Sequence, residues 1–401
     1  MKRRTILKST AAAALALAVG SGAALAAEPL KIGAVAPKTG GLAGGAVVSF
    51  WPNVQLWAHD VNARGGIDVG GTKRMVEIIE YDDQTNPAET IKAVQRLATQ
   101  DGADFILAPY STGLNIAAAP IFARYGYPML THTAISDQIE ELSTKFPNMY
   151  FTLGGATGLA GGVVEVLSEL RERGEIGSRV AMVNVADAFG IELAEVARPQ
   201  FADAGFDIVY DTSYPLGTQD LSPVVKGAKD ANPDAFVAWS YPPDTFGLTA
   251  QAKIEGLNVK AFYTAVATAF PAYQGANGAA ANNVLGAGGV HADGAAFQEY
   301  AKRHMEVTGQ APDFWASGMT YASFQILEQA IEATASTDRA VVADHIANHD
   351  FETVMGTISW DENNNNASYW TVGQWQDGVF KGVASTGREG AVHVRVKTGW
   401  E

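Results

Sequence analysis

The sequence predicts an α/β protein with two doubly wound parallel-sheet lobes, and three observations carry that prediction. Short apolar runs alternate with longer amphipathic ones from Leu30 onward. The short runs are apolar throughout, as strands in parallel sheets covered by helices on both faces must be. The rhythm then restarts after Met149–Leu153, with a similar order of elements and no close sequence repeat.

In the first series, Leu30–Ala36 reads as a strand, Trp51–Arg64 as a helix and Met75–Tyr81 as a strand. Pro87–Thr99 follows as a helix, with Asn86-Pro87 supplying a cap and a first-turn proline. Asp104–Ala108 is a strand, Asn115–Tyr125 a helix and Pro128–Thr131 a strand. In the second series, Leu159–Arg173, Ile191–Ala204, Leu221–Asp230 and Asp244–Glu255 are helical. Val180–Asn184, Asp207–Tyr210, Asp234–Trp239 and Lys260–Thr264 are the strands between and after them. The small, polar stretch 275–283 reads as an exposed excursion. A strand at Val284–Gly288 follows, then two or three helices between Gly294 and Asn348. The tail is β-rich over Thr353–Trp360 and Tyr369–Phe380, with a turn or loop at 361–366.

Ahead of the first strand lies a leader. Lys2-Arg3-Arg4 precedes an Ala/Leu run from Ala11 to Val19 and the small-residue stretch Ala24-Leu25-Ala26. A basic start, a short apolar core and an A-x-A end predict an export signal over residues 1–27, cleaved after Ala26 or Ala27. Its paired arginines fit both the twin-arginine and the ordinary secretory route. The expected location is the periplasm.

The formal charge is −15, and the leader contributes Lys2, Arg3, Arg4 and Lys8 with no acid, so the exported chain is more acidic still. Such a surface repels nucleic acid and anionic lipid. No apolar run after the leader is long enough to span a bilayer. Cysteine is absent, which excludes disulfides, thiolate metal sites, a Cys nucleophile and a lipidated Cys at the cleavage point.

No G-x-S-x-G, H-E-x-x-H or G-x-x-x-x-G-K-[ST] motif occurs. The cluster Gly40-Gly41-Leu42-Ala43-Gly44-Gly45 lacks dinucleotide-loop spacing. His345 and His349 lie four apart without an evident third ligand, and Asp82-Asp83 reads as local capping, so no metal or cofactor is expected. One turn stands out. Pro109-Tyr110-Ser111-Thr112-Gly113 joins the carboxyl end of a strand to a helix N-terminus, where ligands of open parallel sheets bind and where an anion is favoured. Ser111 and Thr112 either grip an anion there or cap the helix.

Several segments, in order, resemble the leucine/isoleucine/valine-type periplasmic solute-binding proteins of bacterial ABC importers, which have the type I periplasmic binding fold. They are Lys31-Ile32-Gly33-Ala34-Val35-Ala36-Pro37-Lys38-Thr39-Gly40, Asn62-Ala63-Arg64-Gly65-Gly66-Ile67 and Tyr81-Asp82-Asp83-Gln84-Thr85-Asn86-Pro87. Tyr241-Pro242-Pro243-Asp244 and Ile358-Ser359-Trp360-Asp361 follow. The resemblance implies a non-enzymatic, monomeric receptor that closes on one small ligand by a three-crossing hinge and meets an inner-membrane permease transiently. It places the first lobe at residues 28–155 plus 289–356 and the second at 156–288 plus 357–401.

By position, the resemblance puts Ser111 and Thr112 on the carboxylate-gripping turn, with Thr112 as the principal contact. Thr133, Ala134 and Ser136 fall on the next binding loop, with Ile135 where a hydroxyl is usual. Phe189 and Tyr241 fall on pocket tyrosines of the second lobe. Trp51, Tyr110 and Trp239 are further aromatics expected near the cleft, with Phe314 or Trp315 as additional candidates. The departure from the family is Ala265, which stands where relatives carry the carboxylate that pairs with an amino acid's ammonium. The expected ligand is therefore a small carboxylate, either an amino acid served by Asp187, Asp244 or a shifted loop, or an apolar or aromatic acid. A sensory receptor and a secreted hydrolase are the competing classes.

Overall fold

The computed structural model describes residues 27–366, 368–383 and 388–400. Except for Ala27, the expected export signal lies outside them.

The first sheet is built around β1 (Leu30–Ala36), in which only Lys31 is not fully buried. That is the continuous apolar strand a two-sided covering demands. α1 (Ala43–Ser49) and α2 (Trp51–Ala63) follow, then a hairpin of β2 (Ile67–Val69) and β3 (Thr72–Arg74). β4 (Val76–Asp82) pairs parallel to β1 from Leu30↔Val76 to Ala36↔Asp82. α3 (Pro87–Arg96) begins under the side chain of Asn86, which accepts from Ala88 N–H. β5 (Phe105–Leu107) pairs on the other side of β1. α4 (Thr112–Tyr125), β6 (Met129–Thr131), α5 (Ile139–Lys145) and β7 (Met149–Phe151) complete this half, with β6 and β7 parallel.

The second series contains α6 (Ala156–Glu172), β8 (Arg179–Val185), α7 (Ala188–Asp203), β9 (Asp207–Tyr214) and α8 (Ser222–Asp230). It continues through β10 (Ala235–Trp239), α9 (Pro242–Glu255), β11 (Ala261–Thr264), α10 (Pro271–Asn277) and β12 (Leu285–Ala287). The chain then returns to the first half as α11 (Ala295–Thr308), α12 (Ala316–Thr334), α13 (Arg339–Asn348) and the hairpin β13 (Phe351–Thr353)–β14 (Gly356–Ile358). It ends in the second sheet with β15 (Val372–Gln376) and β16 (Val379–Gly382). That sheet has the order β16-β15-β12-β11-β10-β8-β9. Strands β8 to β12 are parallel, while β15 and β16 join antiparallel. The turn between the last two strands is Asp377-Gly378, both at positive φ, the backbone that a two-residue hairpin needs.

Three differences from the sequence reading have local causes. The glycine cluster contains a short helix, α1, because Gly45 lets it approach Tyr110. A β-carbon at Gly45 would meet the Tyr110 hydroxyl at 2.1 Å. Stretch 275–283 is mostly exposed, as expected, but it is regular: the end of α10 and a 3₁₀ turn at Gly278–Ala281 form it, with Ala280 and Ala281 buried. Beyond the boundary expected at 356–357, the chain still runs along the first half. Asn364 O accepts from Phe151 N–H at 2.8 Å, and Asn366 N–H donates to Phe151 O at 2.9 Å, so the chain runs beside β7 up to Asn366.

Asp83 shows how burial couples to pH. It is fully buried, its Oδ1 accepts from Thr85 N–H at 3.0 Å, and its Oδ2 has no partner. Burial raises its carboxyl to about 6. A carboxyl raised on folding stabilises fully below its unfolded value, and that contribution is lost as pH rises through the folded one. Asp83→Asn is therefore expected to raise the melting midpoint at about pH 7.5, by the equivalent of roughly 1–3 kcal/mol, and to change little below about pH 4.5. A variant less stable than wild type at about pH 7.5 would contradict this.

Candidate ligand cleft

The carboxyl ends of β5 and β6 face those of β8, β10 and β11 across a cleft, and α1 touches α9 while α4 touches α7. The two halves are closed on each other. Between them lies a narrow, nearly filled chamber of about 20 Å³. Tyr110, Ser111, Thr133, Ile135 and Leu153 line it from the first series; Phe189, Tyr241 and Val266 from the second; Trp315 and Ala316 from the start of α12. Phe189 and Tyr241 stack with centroids 5.0 Å apart. No acidic or basic side chain is among these residues.

Four helix N-termini converge on the chamber, and three carry their own carboxylate. Asp187 Oδ1 accepts from Gly190 N–H at 3.0 Å at the head of α7. Asp244 Oδ2 accepts from Tyr241 N–H at 3.1 Å and from the Tyr214 hydroxyl at 3.3 Å at the head of α9. Asp313 accepts from Trp315 N–H at 2.8 Å and from Ser317 N–H and Oγ–H at the head of α12. Burial raises all three carboxyls, Asp244 to about 6. α4 has no acid in its first turn, and its cap, Ser111 Oγ, sits a long 3.5 Å from Leu114 N. A helix end with unmet N–H groups and uncompensated positive potential is an anion site.

The backbone at this end is held under strain. Ser111 sits at φ +76°, ψ 156°, a region that side-chain-bearing residues seldom enter, at a cost of about 1–3 kcal/mol. Its N–H donates to Thr133 Oγ1 at 2.9 Å. Asn115 Nδ2 clamps the turn from below, donating to Pro109 O and Ser111 O at 2.7 Å each. Thr112 knits the two loops: its hydroxyl donates to Ile135 O at 3.2 Å and accepts from Ile135 N–H at 3.1 Å. His132 completes the support from within, bonded to Ala108 O and Thr320 Oγ1, and burial lowers it to about 4, so it is neutral.

Of the residues expected from the sequence, Tyr110, Ser111, Thr133, Phe189, Tyr241 and Trp315 meet in the chamber, while Phe314 packs against Trp375 and Phe380. Thr112 lies behind the wall on Ile135, Ala134 is packed in a core cluster, and Ser136 turns its hydroxyl to Glu192 at 2.9 Å. Trp51 is elsewhere, in an outer groove, with its indole N–H on Pro37 O at 3.3 Å and Lys38 Nζ 4.3 Å above its ring. The inward position belongs to its neighbour Phe50, fully buried and stacked on His132. Trp239 is buried in the second sheet. Ala265 is fully buried with its N–H on Ala238 O. Leu153, Val266 and Ala316 were missed, since nothing in their local pattern separates a chamber wall from a core. His345 and His349 stack at 3.8 Å, and no group of three or more potential metal ligands occurs among the described residues. No helix among them is long and apolar enough to cross a membrane.

A closed chamber at the carboxyl ends of two facing sheets, with an anion-favouring helix end, has the layout of a ligand-binding cleft. The family model described as "Periplasmic binding protein" matches residues 29–379, and the chain belongs to that family. Among its relatives is the amino acid binding protein of Pseudomonas aeruginosa, 26% identical over 390 residues, covering 90% of this chain and 95% of that one. The Leu/Ile/Val-binding protein of Escherichia coli K12 is 24% identical, covering 84% and 88%. Among solved structures, a branched-chain amino acid transporter substrate binding protein from Streptococcus pneumoniae, in complex with isoleucine, has a TM-score of 0.77 at 19% identity, covering 89% of this chain and all (100%) of that one. A solute binding protein of an ABC transporter from Rhodopseudomonas palustris BisB5, in complex with 3,4-dihydroxy benzoic acid, has a TM-score of 0.77 at 20% identity, covering 91% and 98%. Both share the two-lobed fold.

Proposed function

We propose that this protein is the periplasmic capture component of an ABC importer. It takes up one small carboxylate with an apolar or aromatic body, without an obligatory ammonium, and hands it to a membrane permease. The two halves act as lobes hinged at crossings near 152–155, 288–294 and 368–371. In this reading the ligand carboxylate sits at the α4 N-terminus on Ser111 and neighbouring N–H groups, beside Thr133. Its body lies between Tyr110, Phe189, Tyr241 and Trp315.

The observation that carries the ligand class is the absence of any acid in the chamber lining. A buried ammonium needs acceptors, and an unpaired buried charge is costly. Asp187 and Asp244 are already engaged at the heads of their own helices. Ile135 presents apolar surface where the family usually offers a hydroxyl. The complex of the Rhodopseudomonas protein with 3,4-dihydroxy benzoic acid is consistent with this reading.

A thermal-shift screen tests it by pairing leucine with 4-methylpentanoate and phenylalanine with 3-phenylpropanoate, with benzoate alongside. The acids without an amino group are expected to raise the midpoint, since a ligand at a hundred times its Kd adds about 2.7 kcal/mol. Stabilisation by the amino acids and not by their deaminated partners would overturn the ligand class.

A further inference from the structure

We infer that Glu192 is a positioning residue that sets ligand affinity from outside the chamber, by latching the two lobes in the closed form; this rests on the hinged-trap reading above. Glu192 lies on α7, the helix whose Phe189 lines the chamber, but is not itself in the lining. Its Oε1 accepts from Ser136 Oγ–H at 2.9 Å and from Asp137 N–H at 2.7 Å. Those donors belong to the loop between β6 and α5, whose Ile135 is part of the opposite wall.

The contact has the features of a built joint. Ser136 is fully buried, and its Oγ also accepts from Gln138 N–H at 3.1 Å, so its hydroxyl is oriented. Asp137 turns its own carboxylate away, to the N–H and hydroxyl of Thr157 at the head of α6. That leaves its backbone N–H for Glu192. Its carboxylate is met by these two donors, which oppose the upward push of burial and of the neighbouring Asp137 carboxylate on its pKa. Bonds to an ionised acceptor are the strong kind. If the lobes part, all three groups return to water, so this energy belongs to the closed form alone. An interaction made in only one state shifts the equilibrium toward it, and apparent affinity follows the closed fraction.

The resulting behaviour differs from that of a ligand contact. Glu192→Ala is expected to speed release of benzoate or 3-phenylpropanoate about five- to fiftyfold, leaving association rates and the ratio of the two affinities unchanged. The ligand-free melting midpoint should stay within about a degree of wild type, because the closed form is the minor one before ligand binds. Glu192→Gln, which keeps the acceptor oxygen but not the charge, should fall between. An unchanged release rate, or a changed affinity ratio, overturns the latch.

A second arm needs no ligand. The chain has no cysteine, so spin labels at Glu140→Cys and Glu195→Cys, one exposed site on each side of the contact, report lobe separation cleanly. Ligand-free wild type should populate the short distance more than the Glu192→Ala form does. Equal distributions overturn the latch even if no acid in the screen binds, whereas failure of the screen alone touches only the ligand class.

Discussion

Gly288→Ala is expected to lower the melting midpoint by about 3–6 °C and to remove most ligand binding. Gly288 sits at φ +91°, just past β12 where the chain leaves the second sheet. A β-carbon there would lie 2.0 Å from Trp315 Cγ and 2.4 Å from Trp315 Cβ. Trp315 cannot give way cheaply, because Asp313 holds its N–H at 2.8 Å at the head of α12. The left-handed backbone costs about 1–2 kcal/mol for a residue with a β-carbon, and overpacking adds about 1–3 kcal/mol. Binding suffers because Trp315 is a chamber wall. Gly309→Ala is the control: φ is +72° but no atom lies within 4 Å of the added carbon, so only the backbone penalty applies. Calorimetric melts of the two variants separate the contributions. Equal losses in both would show that the Trp315 contact is not what forbids a side chain at Gly288.

Thr112→Val should have the second-largest effect, and on two readouts at once. Valine keeps the shape but loses both bonds to Ile135, leaving a buried N–H without a partner, at about 1–3 kcal/mol. Ligand affinity is expected to fall about tenfold to a hundredfold, because the loop carrying Thr133 and Ile135 is no longer tied to the α4 turn. Ser111→Ala should differ, weakening binding with little loss of stability, since its capping bond is long. Titration calorimetry with parallel melts distinguishes the two. A Thr112→Val protein with wild-type stability and weak binding would instead make Thr112 a direct ligand contact, as its position in the sequence suggests.

Strands with both faces buried were legible because composition alone marks them, as in β1 and β8. The sequence pattern marks β9 only as far as Tyr210, although the strand continues to Tyr214. It is the sheet's edge, half-buried, and its polar Asp211 and Ser213 mask the pattern. The anion turn was legible because strand end, hydroxyls and helix start are contiguous. What each hydroxyl touches was not, since Ser111, Thr112 and Thr133 divide the work through contacts more than twenty residues apart in sequence. Trp51 was misplaced for a geometric reason. Phe50, the cap residue between α1 and α2, turns into the core, and Trp51 at the first position of α2 faces the outer groove. The Ser136–Glu192 contact spans 56 residues and two helices, with no local signal at either end.

The proposed function stands or falls on whether the chamber holds a carboxylate at the α4 N-terminus. Titration calorimetry of the tightest-binding acid against its primary amide, which keeps the shape and removes the charge, measures this directly. The acid should bind at least about a hundredfold more tightly, the value of losing one or two charge-assisted bonds of about 1.5–3 kcal/mol each. An amide that binds as tightly as its acid would contradict the anion site and leave the chamber without a reason for its one helix end lacking a carboxylate.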